Sequence, residues 1–118
     1  MTNHRGIERR RHPRVEQRLP LRIVANGYDF LTTTQNISCL GTYCRLDKYI
    51  PPFTKIAVRL TLPVSARKEK EDFRVECKGV VVRSEDNQDG GFNIAIFFNE
   101  IADTQRKKIS QYISKLLH

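Results

Sequence analysis

The sequence has no tryptophan, one methionine, three cysteines, few acidic residues and no hydrophobic run of membrane-spanning length. Its longest apolar stretches, Val80-Val81-Val82 and Ile94-Ala95-Ile96-Phe97-Phe98, fall far short of the roughly 20 residues needed to cross a bilayer as a helix. The N-terminus carries charge with no apolar segment behind it, so no secretory signal is expected and a cytoplasmic setting is the default. Cys39, Cys44 and Cys77 are odd in number and share no Cys-x-x-Cys spacing, which suits reduced, packed thiols. His4, His12 and His118 are scattered, so neither a metal site nor a cofactor is expected. There is no Gly-x-Ser-x-Gly elbow and no phosphate-binding glycine loop, and Asp47 and Asp72 are lone acids, so no enzyme is expected. A length of 118 residues leaves room for one small domain and none for paired nucleotide-binding halves or an eight-unit α/β barrel.

What the chain has is arginine. The net charge is +8, and residues 1–22 hold seven arginines (5, 9, 10, 11, 14, 18 and 22) against Glu8 and Glu16, which is five of those eight charges. Such an arm suggests an anionic partner. Arginine offers a planar fork that matches a phosphate or a guanine edge in two bonds, whereas lysine is a hydrated point charge. The absence of lysine from the arm therefore favours planar recognition over a diffuse electrostatic blanket.

Beyond the arm, the hydropathy pattern has a period of two. Leu19, Leu21 and Ile23 alternate up to Asn26-Gly27, a strong hairpin signal, and Tyr28, Phe30 and Thr32 form the return strand. A short strand follows around 42–46, Pro51-Pro52 breaks the chain, and Ile56, Val58, Leu60 and Leu62 alternate cleanly. Phe73, Val75 and Cys77 restart the pattern, Gly79 marks a bulge or bend, and a turn at 86–91 leads into a buried strand at 92–98. The tail changes period: Ile109, Tyr112, Ile113, Leu116 and Leu117 lie on one helical face, with Asp103 or Thr104 as N-cap and Arg106, Lys107 and Lys108 opposite. The expected organisation is a single domain, with a basic arm at 1–18, a β-barrel at 19–99 and a helix at 100–118.

Two short motifs stand out. Arg10-x-x-x-Arg14 lies ahead of the first strand, and Pro13 biases that segment toward an extended shape. Asn36-x-Ser38-x-x-Gly41 lies in the connection after the first hairpin, where Gly41 is expected to permit the turn. Each is weak alone, since Arg-x-x-x-Arg spacing also occurs at Arg5/Arg9, Arg14/Arg18 and Arg18/Arg22.

Taken together, in this order and ahead of this strand pattern, the two motifs resemble the PilZ domain family of cyclic di-GMP receptors. The resemblance runs from Glu8-Arg9-Arg10 through Gly79-Val80-Val81-Val82-Arg83 to the closing helix. It implies a mainly β fold, a six-stranded antiparallel barrel with a flexible basic N-terminal arm and one C-terminal helix. It also implies a non-enzymatic receptor that binds cyclic di-GMP through Arg9, Arg10, Arg14, Asn36, Ser38 and Gly41, with Arg9 helping to hold a second, stacked copy. The nucleotide would order the arm over the barrel and change a surface read by an unidentified protein partner, with no membrane involved. Ala95 departs from the family pattern, which leads us to expect glycine in the last strand. Arg83 reads as a surface residue of its strand. The alternative is a basic-arm barrel for single-stranded nucleic acid, which needs exposed aromatic rings. Phe30, Phe73, Phe92, Phe97 and Phe98 read as core, leaving Tyr28, Tyr43 and Tyr49 for that role.

Overall fold

The computed structural model describes residues 12–63 and 72–117. Six strands, β1 (Pro20–Ala25), β2 (Tyr28–Ile37), β3 (Gly41–Leu46), β4 (Lys55–Pro63), β5 (Asp72–Asp86) and β6 (Phe92–Glu100), precede one helix, α1 (Asp103–Leu117). Every strand pairing is antiparallel, and the order β1-β2-β3-β6-β5-β4 closes on itself as a barrel. Closure removes the unpaired edges that an open sheet of this size would expose.

The period-two pattern places the core. Leu21 and Ile23 of β1, Leu60 and Leu62 of β4, Val75 and Val81 of β5 and Ile94 of β6 are fully buried inside the barrel. Asn26 and Gly27 both take positive φ, 52° and 83°, as the tight turn between β1 and β2 requires. The long strand β5 pairs with β4 through its first half and with β6 through its second, and its register against β6 shifts at Gly79 and again at Val82. A Cβ on Gly79 would lie 2.9 Å from Ile96 Cγ2 and 3.1 Å from Phe97 O, so the bend needs glycine for close approach.

Helix α1 closes one mouth of the barrel, burying Ile109 and Ile113. Side-chain bonds fix its position: Glu76 N–H donates to Gln105 Oε1 at 2.9 Å and Lys108 Nζ donates to Arg74 O at 3.2 Å. The cap lies one residue earlier than expected. Ala102 O accepts the first helical bonds, from Gln105 N and Arg106 N, which puts Asp103 inside the first turn, where its charge suits the helix dipole.

Candidate functional site

The base of the arm is fastened to the barrel. Val15 and Ile37 exchange two backbone hydrogen bonds of 3.0 and 2.9 Å, and Leu19 N–H donates to Thr34 Oγ1 at 2.9 Å. The same Thr34 hydroxyl, fully buried, donates to Gln17 O, and Tyr112 OH on α1 bonds Gln17 Oε1 at 3.1 Å. With Val15, Gln17 and Leu19 turned toward the protein, the extended segment leaves Arg14, Glu16 and Arg18 exposed.

Arg14 then meets the second motif: its Nη1 donates to Asn36 Oδ1 at 3.3 Å. Asn36 faces outward because of a bulge. Thr34 pairs with Cys44 and Ile37 with Thr42, all four side chains buried, whereas Asn36 pairs with Tyr43 across a register shift. Without the extra residue, Asn36 would share the inward parity of Thr34, so the bulge re-aims it. Asn36 and Ile37 therefore belong to β2 and not to a connection, and Thr42 Oγ1 donates to Asn36 O at 2.6 Å.

Ser38 and Gly41 shape the turn. Ser38 is 2% exposed; its N–H donates to Gly41 O at 2.9 Å, and its Oγ accepts from Leu40 N–H at 3.1 Å. Gly41 has no positive φ, which corrects the expected reason for its presence. A Cβ there would lie 2.1 Å from Ile96 O, so glycine is needed for β3 to approach β6. Of the second motif, Asn36 alone presents a side chain to solvent beside Arg14. Arg9 and Arg10 lie outside the described residues.

The register adds residues that the motifs do not name. Asn36 of β2, Tyr43 of β3, Ala95 of β6 and Arg83 of β5 are successive cross-strand partners, and so form one row on the outer face. Arg83 is exposed there, and the methyl group of Ala95 sits between it and Tyr43. Phe97, expected in the core, points outward opposite Gly41 and is 43% exposed. In an unbroken apolar run the inward parity is illegible, and Ile96 and Phe98 take the interior. Phe73, also expected in the core, is 38% exposed because it lies at the barrel rim, with Lys108 Nζ 5.9 Å above its ring. The signal for Tyr43 was present in the sequence, as every second residue from Gly41 faces out.

On the opposite side, Arg22 of β1 is matched by Asp29, and Arg59 of β4 by Glu76 at 3.0 Å. The Arg22 hydrogen bond holds the Asp29 carboxyl below its ordinary range. Cys39, beside the candidate site, has its thiol pushed up by burial, with the Ser110 hydroxyl and Arg106 acting in the other direction. Among the described residues no group of three or more His, Cys, Asp or Glu gathers to hold a metal ion, and no described helix is long and apolar enough to cross a membrane.

Solved structures share this fold, two proteins among them. The Bacillus subtilis inhibitor of motility, MotI/DgrA, superposes with a TM-score of 0.77 at 20% identity over 92% of this chain. The present chain spans 51% of that protein. The PilZ domain of YcgR from Escherichia coli, solved with c-di-GMP, superposes with a TM-score of 0.61 at 12% identity over 92% of both chains. A search of curated proteins returned no match. The PilZ domain model, however, matches residues 8–115, nearly the full length, and the chain belongs to the PilZ domain family.

Proposed function

We propose that this chain is a cyclic di-GMP receptor that binds and signals without making or breaking a covalent bond in its ligand. The observation that carries this reading is the contact between Arg14 and Asn36, which joins the arm motif to the strand motif across 22 residues of sequence. The ligand is a doubly anionic ring with two guanines, each presenting an O6/N7 edge that a guanidinium meets with two bonds. Arg14 and Asn36 supply a donor fork and a neutral amide at one place on the barrel wall, with Tyr43 and Arg83 in the same row as Asn36. Arg10 is assigned to the same ligand and Arg9 to a second, stacked copy. Ser38 and Gly41 serve by shaping the turn that follows the strand carrying Asn36. The c-di-GMP held by the PilZ domain of YcgR supports the ligand class.

In this reading the fastened segment from Val15 to Leu19 is the pivot. The nucleotide orders the arm ahead of it, and a protein partner reads the changed surface. The binding free energy limits how far that switch can move. The single-stranded nucleic acid reading is weaker, since Arg22 of β1 and Arg59 of β4 are each paired with an acid.

Calorimetric titration of cyclic di-GMP into the purified chain tests the proposal. Saturable binding is expected, with two ligands per chain if the nucleotide stacks. Arg14→Ala should weaken it by about ten- to a hundredfold, the value of one bidentate contact. No heat at micromolar nucleotide, or displacement by oligonucleotide instead of unlabelled cyclic di-GMP, would overturn the assignment.

A further inference from the structure

We infer that the groove between α1 and the Leu62/Phe73 end of the β4–β5 pair is the seat for an acidic, amphipathic segment of a protein partner. The purpose assigned to this groove rests on the receptor reading above; its chemistry does not. The groove encloses about 160 Å³ over a floor that includes Leu62, Phe73, Tyr112 and Leu116, with Lys108 and Lys115 on its helix side. Its walls are apolar and only partly covered: Phe73 is 38% and Leu116 43% exposed. The helix spends Ile109 and Ile113 on the barrel interior, and Leu116, on the same face, falls beyond the rim. A hollow of this size takes one aliphatic or aromatic side chain, the kind of central anchor around which interfaces are built.

Charge selects what surrounds that anchor. Lys108 is held in place by its bond to Arg74 O and its position over the Phe73 ring, and Lys115 lies two turns further along the helix. No carboxylate occurs among the groove's described lining residues. The exposed surface of α1 carries Arg106, Lys107 and Lys115 against Asp103 alone. An aliphatic side chain flanked by carboxylates is complementary on both counts. A second copy of this chain would bring like charge to like charge, since the net charge is +8. A bilayer surface needs a convex apolar helix face, whereas here Ile109 and Ile113 of that face are turned into the barrel and Leu116 lines a concave groove. The groove is also continuous with the arm, because Tyr112 in its floor is hydrogen-bonded to Gln17, three residues from Arg14.

The test uses the full chain and two fluorescein-labelled model helices with the same leucine pattern, one flanked by glutamates and one by lysines. By fluorescence anisotropy the glutamate helix should bind and the lysine helix should not, and amide chemical shifts should move at Phe73, Tyr112 and Leu116. The Lys108→Glu/Lys115→Glu variant should lose affinity for the glutamate helix by about tenfold or more. Leu116→Ser, a second variant at an exposed position, should lose affinity with the lysines intact. Equal binding of the two helices, shifts confined to another face, unchanged affinity in both variants, or preference for phosphatidylglycerol vesicles over the glutamate helix would overturn the inference. Cyclic di-GMP titration of the charge-reversed variant separates the two readings. Nucleotide binding there, with helix binding lost, supports the groove assignment; a wild-type chain that binds the glutamate helix but no nucleotide refutes the receptor reading alone.

Discussion

Arg14 and Asn36, 22 residues apart in the chain, meet at 3.3 Å from guanidinium Nη1 to amide Oδ1. Neither residue would mark a site alone. The barrel joins them because the arm base runs antiparallel to the end of β2 through Val15 and Ile37, while the β2 bulge turns Asn36 out of the interior. A ligand that engages both groups must insert into or share this bond. Removing either should weaken cyclic di-GMP binding, Arg14→Ala by about ten- to a hundredfold and Asn36→Ala by about tenfold. The double variant should lose less than the product of the two, because the residues act on one ligand. A calorimetric double-mutant cycle with fully multiplicative losses would show that they do not share a site.

The outer row makes a second expectation. Tyr43 offers a ring and Arg83 a guanidinium on either side of Ala95, which lacks bulk to separate them. Base stacking on an aromatic ring is worth about 1–3 kcal/mol, so Tyr43→Ala should cost about five- to a hundredfold in nucleotide affinity while Tyr43→Phe retains it. If the row takes no part, both variants will titrate like the wild type.

Gly41 is demanding for a steric reason. Any side chain places its Cβ 2.1 Å from the Ile96 carbonyl oxygen, and backbone cannot yield as a flexible side chain does. Gly41→Ala should destabilise the fold by about 3 kcal/mol, the upper end of overpacking costs, and lower the melting temperature by on the order of 10–20 °C. A melting curve superposable on the wild type would contradict the close approach of β3 to β6.

The alternating strands were legible because one face of each is buried, and period two survives any detail of packing: Leu21/Ile23, Ile56 to Leu62 and the Asn26-Gly27 turn follow from that rule. Three features escaped it. The continuous run at Ile94–Phe98 contains no polar residue to reveal parity, so the outward turn of Phe97 was hidden. The bulge ahead of Asn36 is a matter of register between two strands, and one strand's sequence does not encode it. Gly41 has the composition of a turn residue yet serves a strand contact, because the carbonyl it must avoid belongs to a residue 55 positions away.

Gln17 and Tyr112 give the arm a direct line to the helix. Their 3.1 Å bond joins the segment following Arg14 to the floor of the α1 groove. If ligand on the arm alters the groove through this bond, saturating cyclic di-GMP should change the affinity of the wild-type chain for the glutamate-flanked helix, and Tyr112→Phe should abolish that change with nucleotide affinity intact. The same nucleotide response in both proteins would exclude this bond as the link.

Burial of the thiols should make the fold lose stability in alkali. Cys44, fully buried inside the barrel, and Cys77, on the interior-facing register of β5 opposite Val58, are both pushed up to about 12 by burial, from an ordinary value near 9. The folded state therefore keeps its thiol protons where the unfolded chain gives them up. Their contribution is fully present below about pH 9 and is lost as the pH rises from there toward about 12. Urea unfolding at intervals across that window should show wild-type stability falling steeply. Cys44→Ala/Cys77→Ala, less stable at neutral pH from lost packing, should fall less steeply, the remaining slope coming from other alkaline groups such as Tyr112, also raised by burial. Parallel curves for the two proteins would place the alkaline sensitivity elsewhere than in these thiols.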